Sequence, residues 1–224
     1  YARFVSAKLK GANLSKATLE EADFGEASLH QTDFTEADLR RSEMSEVRAA
    51  QANFTKARMD GVVGSGGKFP EANFTGAALV GARLDGADLA GADLTGADLT
   101  SVDLSRANLK GAILAGTNLT GACLAEASLE GVDLSTATLE QADFTGLDPA
   151  MLGLSEAQIQ VLGNYGSVFD PDAELVIEEA ACALSGETVA VLWRNPDGDE
   201  IKSLRWGLLR GGDVVATGVL PLSA

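Results

Sequence analysis

The side chains with most chemical potential in this chain are few and scattered. Its single histidine, His30, lies close to Ser28 and Asp33, the residue types that can form a nucleophile, a base and an orienting acid. A triad needs a cleft in which the third group aims the base, and Ser and Asp recur so regularly here that their nearness to His30 has no special meaning. The run Gly64-Ser65-Gly66-Gly67-Lys68 has the composition of a phosphate-binding loop, but not its spacing, and no Ser or Thr follows the lysine. Cys123 and Cys182 are far apart and have no metal-ligating neighbour, which reads as two unrelated thiols. The many aspartates would hold a hard cation only if they converged, and evenly repeated carboxylates do not. No enzyme activity, cofactor or metal site is expected.

What the chain does repeat is an apolar rhythm of five. Residues 86–99 read Gly-Ala-Asp-Leu-Ala, Gly-Ala-Asp-Leu-Thr, Gly-Ala-Asp-Leu. A helix repeats its faces every ~3.6 residues and a strand every two, so a strict period of five requires a corner in every unit. The same register runs from Phe4 to Phe144 in steps of five, filled by Leu, Phe or Met, and only Ala49 and Gly64 depart from it. Two residues before each of these positions lies a small one, usually Ala. In a short strand, side chains two apart share a face, so the small and the large residue both point inward. Glycines such as Gly81, Gly86, Gly91 and Gly96 fall two places after the apolar residue, where a corner needing positive φ suits them. At Gly64 and Gly67 both inward side chains are missing, and the expectation there is a kinked or loosened coil.

The pattern Ala-(Asp/Asn)-(Leu/Phe)-X-X over residues 2–146 resembles the signature of the pentapeptide-repeat family. That resemblance implies an all-β fold, a right-handed quadrilateral parallel β-helix with four pentapeptides per coil and about seven coils. Residues twenty apart would then stack, giving an interior column of Leu14, Phe34, Phe54, Phe74 and Leu94, with Phe34, Phe54, Phe74 and Leu94 as structural core. Outside the same wall the ladder reads Asn13, Asp33, Asn53, Asn73, Asp93, where intervening Asn would reduce contact between like charges at the ~4.8 Å strand spacing.

Three regions follow: a repeat domain over 1–147, a helical cap and linker over 148–172, and a small antiparallel β module over 173–224. Pro149 falls where the next apolar residue is due, and Ser155 to Gln158 has the spacing of a capping box, which predicts a short helix over 155–162 covering the last coil. Strands are predicted over 174–184, 187–194, 201–209 and 214–220, with Trp193 and Trp206 packed together if the second and third pair. The module carries no recognised family signature. Tyr1 is already in register without a visible cap, so the first coil is expected to offer an open edge to further residues or to a second copy, as a homodimer through the N-terminal coil.

Charge narrows the choice of partner. The net charge is −16, and it is uneven: residues 1–83 hold eleven acidic and eleven basic side chains, residues 84–147 ten and two, and the remainder twelve and four. Such a surface repels phosphates and attracts a basic protein over a Debye length of about 8 Å. Aromatic residues are 5% of the chain and fall mostly at inward repeat positions, so no stacking platform for nucleic acid is expected. No apolar run approaches the roughly 18 residues of a membrane span. The compartment stays open, with a cytoplasmic location favoured. The expected function is a non-enzymatic scaffold for a protein partner with a basic surface, whose candidate acidic face is Asp88, Asp93, Asp98, Asp103 and Asp133. The family resemblance implies a specific version, a DNA mimic acting on DNA gyrase or topoisomerase and protecting it from quinolones. The alternative is a structural adaptor whose rod positions the C-terminal module.

Overall fold

The computed structural model describes residues 2–147 and four later strands, β1 (Leu175–Val176), β2 (Leu192–Trp193), β3 (Ser203–Arg210) and β4 (Asp213–Pro221). Two compact units, Tyr1–Phe169 and Asp170–Ala224, make up the chain.

In the first unit, parallel bridges join residues twenty apart, from Arg3↔Asp23 through to Cys123↔Asp143. Four pentapeptides therefore close one circuit, and residues 2–147 form a four-sided parallel β-helix. We number its walls from the first coil (residues 2–21): wall 1 carries Arg3 and Phe4, wall 2 Lys8 and Leu9, wall 3 Asn13 and Leu14, wall 4 Thr18 and Leu19. Later coils follow at twenty-residue intervals, so the fourth spans 62–81 and the fifth 82–101.

Backbone accounting shows why the period is five. Around Phe34, Asp33 N–H donates to Ala12 O in the coil before (2.9 Å), while Phe34 and Glu36 N–H donate to Asn53 O and Thr55 O in the coil after (2.7 and 2.9 Å). Ala37 N–H then closes the corner onto Phe34 O (2.9 Å). The third residue of that turn is left-handed whether or not it is glycine: φ is 63° at Gly81 but also 58° at Glu36 and Lys16. Each non-glycine residue held there costs about 1 kcal/mol or more in backbone strain, which the flanking inter-coil bonds must offset.

Inward residues fill the tube. Phe34, Phe54 and Phe74 are fully buried and stack with ring centroids 5.0 and 4.9 Å apart, and Leu94 lies buried in the same column. The expected loosening at Gly64 and Gly67 does not occur. Gly64 N–H still bonds Arg83 O (2.7 Å) and Gly67 N–H bonds Gly64 O (3.0 Å). A methyl group on Gly67 would lie 2.6 Å from the Phe69 ring, and one on Gly64 would lie 2.9 Å from Leu84 Cδ2 and 3.5 Å from Phe69. Phe69 occupies the space the two glycines vacate, packing edge-on to Phe54 and Phe74. Three of the small inward positions are polar, Thr32, Ser42 and Thr117. Thr32 and Thr117 sit in small-residue positions and donate their hydroxyls to Leu9 O (2.8 Å) and Leu94 O (3.0 Å), whereas the buried Ser42 hydroxyl has no partner.

In the second unit, β1 pairs with β2 and β3 with β4, both antiparallel. The strands bearing Trp193 and Trp206 thus belong to separate ladders, with Trp193 opposite Leu175 and Trp206 opposite Gly218. The predicted helix over 155–162 lies outside the described residues. Among the described residues no helix is long and apolar enough to cross a membrane.

Candidate partner-binding surface

One amide in each pentapeptide has no main-chain partner in this scheme, that of the residue after the large inward one. The outward Asp or Asn two positions earlier supplies it. Asp93 Oδ1 accepts from Thr95 N–H (2.9 Å), Asp98 from Thr100 N–H (3.1 Å), Asp103 from Ser105 N–H (3.0 Å), Asp88 from Ala90 N–H (3.2 Å) and Asp133 from Ser135 N–H (2.8 Å). Each is an Asx turn, local satisfaction of a backbone donor by a short side-chain oxygen. Asn13, Asn53, Asn73 and Asn118 do the same for Ser15, Thr55, Thr75 and Thr120. Where the outward residue is Lys68, no such acceptor exists, and the residue that would need it is Pro70, which has no N–H.

Asn adds a bond that Asp cannot. Asn53 Nδ2 donates to Asp33 Oδ1 and Thr35 Oγ1 one coil away (3.3 and 2.9 Å), Asn118 does so to Asp98 and Thr100 (3.3 and 2.9 Å), and Asn108 donates to Asp88 (2.9 Å). Asp93 and Asp103 have Ile113 and Cys123 at the corresponding places instead.

The five candidate aspartates are not gathered on one face. Asp88, Asp93, Asp98 and Asp103 belong to successive pentapeptides and so to walls 2, 3, 4 and 1. Only Asp93 and Asp133 share a wall, and its bridged ladder stops at Ile113 without reaching Asp133. With Asp85 on wall 1, the fifth coil carries one carboxylate per wall, an acidic girdle. Phe34, Phe54, Phe74 and Leu94 are buried in the interior column of the second to fifth coils and present no side chain to solvent.

Ion-paired cations occur on all four walls. On wall 4, Arg40 holds Asp38 at 2.7 Å through paired nitrogens, Arg58 reaches the same carboxylate (3.3 Å), and Arg41 bridges Glu20 (2.6 Å) and Glu21 (3.2 Å). The Arg40 guanidinium beside Asp38 holds its carboxyl below the usual range. Hydrogen bonds from Ser135 do the same for Asp133. On wall 2, Lys8, Arg48 and Lys68 lie in one ladder with Ser28 between the first two, and Lys10 beside it, all four exposed. The twenty-residue spacing of 48 and 68 was the available signal for that ladder.

His30 and Ser28 lie on wall 2 and Asp33 on wall 3, where its carboxylate is engaged by Thr35 (2.6 Å) and Asn53. Among the described residues no three His, Cys, Asp or Glu side chains converge as for a metal ion. Cys123 is a free, half-buried thiol whose pKa is pushed up by burial, opposite to what a reactive thiolate requires.

Comparison with known proteins follows this geometry. A family model described as pentapeptide repeats (8 copies) matches residues 2–41, 42–79, 77–116 and 112–148. No curated protein matches the chain. Among solved structures, it is similar to HetL, a pentapeptide repeat protein involved in heterocyst differentiation regulation from the cyanobacterium Nostoc sp. strain PCC 7120, with 30% identity over 62% of this chain and 73% of that one, and a TM-score of 0.39. A pentapeptide repeat protein from the Arabidopsis thaliana thylakoid lumen is 29% identical over 69% of this chain and 80% of its own, with a TM-score of 0.28. Full-length QnrB1, a plasmid-mediated fluoroquinolone resistance protein, is 17% identical over 76% and 92%, with a TM-score of 0.39. The matched residues are those whose register, corners and core are described above: the chain belongs to the pentapeptide-repeat family, and residues 2–147 form a right-handed quadrilateral β-helix.

Proposed function

We propose that this chain is a non-enzymatic protein-binding scaffold whose acidic girdle engages a basic groove on a protein partner, in the manner of a DNA duplex. The observation that carries this reading is the identity of the turn-forming residues. Asn and Asp satisfy the corner amide equally well, as Asn73 and Asp93 do one coil apart on the same wall. At the four successive turn positions Asp88, Asp93, Asp98 and Asp103 the chain nonetheless chooses Asp, so the charge there exceeds what folding requires. Carboxylates on every side of a rod suit a groove that embraces it, as it would embrace a duplex, more than a flat docking plate. DNA gyrase or topoisomerase is the partner that the family resemblance suggests, and this reading requires that the chain share their compartment.

The test is a supercoiling assay with purified gyrase, with and without a quinolone. The expected result is inhibition or drug relief that weakens steeply from low to physiological salt. Replacing Asp88, Asp93, Asp98 and Asp103 together by Asn should abolish it, because Asn keeps the corner bonds and removes only charge. No effect at concentrations well above the enzyme's overturns the gyrase reading. The separate compact unit Asp170–Ala224 favours a second reading, an adaptor whose β-helix positions that unit. Deleting residues 173–224 discriminates in a pull-down: a mimic keeps its partner, an adaptor loses it.

A further inference from the structure

We propose that the corner Ser135–Thr136 is a peptide-flip switch that opens and closes wall 3 between the sixth and seventh coils. It stands apart from the gyrase reading and starts from a gap in an otherwise continuous ladder. One coil earlier on this wall, Leu94 and Gly96 N–H donate to Ile113 O and Ala115 O (2.8 and 2.9 Å), and Ile113 N–H donates to Ala92 O (2.9 Å). None of the three equivalent bonds joins the sixth coil to the seventh. Leu114 N–H and Asp133 N–H have no partner among the described residues, Gly116 N–H turns to Thr136 Oγ1 (3.0 Å), and Ile113 stands 50% exposed at the rim of the gap. The same two coils stay bridged on the other walls, through Asp103↔Cys123, Asn108↔Ser128 and Asn118↔Thr138. The opening is therefore local to one wall.

Its cause lies at the corner. Among the described corner residues from Ser6 to Gly146, every one has positive φ except Thr136. The others are Gly, Ser, Gln, Glu, Lys or Arg, so Thr136 is also the one β-branched residue in that set. Left-handed backbone crowds Cβ against the following carbonyl, and a branched Cβ makes the crowding worst. The flanking residues do not account for the gap: Val47, Val62 and Val102 fill the small inward position as Val132 does, and Val63 the outward one as Ile113 does, with their ladders intact. The corner keeps its closing bond, Ala137 N–H to Leu134 O (3.0 Å), but with no positive φ at Ser135 or Thr136. That is a type I turn in place of type II, and the two differ by a flip of the central peptide. Ser135 O, the acceptor that Gly116 N–H would use, rides on that peptide, and the Thr136 hydroxyl takes over its role. In the closed state Thr136 is left-handed, Ser135 O returns to Gly116 N–H, and Leu114 and Asp133 N–H pair with Asp133 O and Ala112 O. Strain at one residue is thus set against three inter-coil bonds, a balance that supports two states. Closing also brings Asp133 into the wall 3 ladder, two coils from Asp93.

NMR of the full chain tests this with Thr136→Gly and Thr136→Val. In the parent, relaxation dispersion should report exchange at Leu114, Gly116 and Asp133, and Thr136→Gly should remove it. Glycine reaches left-handed φ freely, so the same variant should close the wall and slow hydrogen exchange at Leu114 and Asp133 about tenfold or more. Valine keeps the branch and loses the hydroxyl, so Thr136→Val should leave those two amides as fast as in the parent and speed exchange at Gly116. Leu109 and Leu119 N–H, bonded to Ser128 O and Thr138 O (both 2.8 Å), should stay protected throughout. Flat dispersion at all three parent amides overturns the switch and leaves a fixed defect. Exchange at Leu114 and Asp133 that Thr136→Gly does not slow, or that Thr136→Val slows equally, overturns the assignment to the branched corner. Exchange at Leu109 and Leu119 as fast as at Leu114 overturns it as well, since the seventh coil would then come away as a whole.

Discussion

At the scale of single residues, the interior is a set of compensations around Phe69. Two places break the apolar register, Ala49 and Gly64, and both border this ring: Ala49 one coil before it in the same column, Gly64 at the preceding corner of its own coil. With Gly67 they open a space that a Leu at each position would close, and Phe69 is fully buried in it. Gly64→Leu alone must push against Leu84 and Phe69 and should cost about 1–3 kcal/mol, while Phe69→Leu alone leaves a gap worth about 1–2 kcal/mol. Made together they restore the ordinary repeat, so the double variant should be more stable than the sum of the two losses predicts, with a coupling of roughly 1–2 kcal/mol in a urea-unfolding cycle. Strict additivity would mean that the glycines and Phe69 do not share one space.

At the scale of the pentapeptide, the outward Asp or Asn is first a structural residue and only then a charge. Asp98 Oδ1 accepts from Thr100 N–H, from Thr100 Oγ1 (2.6 Å) and from Asn118 Nδ2 (3.3 Å). Asp98→Ala leaves the corner amide and hydroxyl of Thr100 without their acceptor, while Asn118 keeps its bond to Thr100 Oγ1, and should cost about 1–2 kcal/mol, whereas Asp98→Asn should stay within ~0.5 kcal/mol of the parent by thermal melting. If Ala and Asn prove equal, the corner bond contributes nothing and water serves as well. This double duty explains what was legible and what was not. A period of five is one-dimensional information, so the inward positions, the corners and the bounds of the repeat could be read from letters alone. Asn and Asp in the outward ladder were read only as charges at the strand spacing, although their bond is local and lies two residues ahead. Left-handed corners occupied by Glu36 or Lys16 were hidden for the opposite reason: the inter-coil bonds impose that conformation on residues that do not prefer it. The gathering of Asp88, Asp93, Asp98 and Asp103 into one face fails on simple geometry, since a step of five is a step of one wall. Beyond residue 147 no period exists, and local strand signals did not specify which strands pair.

At the scale of the whole β-helix, cooperativity is set by connections that reach one coil and no further. Main-chain bonds link a residue only to the coil before and the coil after, as Leu94 N–H does to Ile113 O (2.8 Å) and Asp93 N–H to Ala72 O (2.9 Å). Interior contacts follow the same rule, and they are unequal along the axis. The first four coils hold the aromatic ladder Phe34, Phe54, Phe74 and the edge-on Phe69, while the fifth and sixth contain no aromatic ring and are filled mainly by leucine and alanine. Like charges also crowd the fifth coil, which holds Asp85, Asp88, Asp93 and Asp98 and the single cation Arg83. Unfolding should therefore begin in the leucine-filled, acidic segment and spread by nearest neighbours. Leu94→Lys tests this, because it places an unpaired ammonium in the dry interior of the fifth coil, a change worth on the order of 4 kcal/mol or more. Hydrogen exchange should then lose protection at the amides of residues 82–121, while Phe34 and Phe54 N–H, bonded within the aromatic segment, stay protected. Uniform loss across residues 2–147 would show that the coils fold as one block, and that the aromatic ladder does not hold its own segment together.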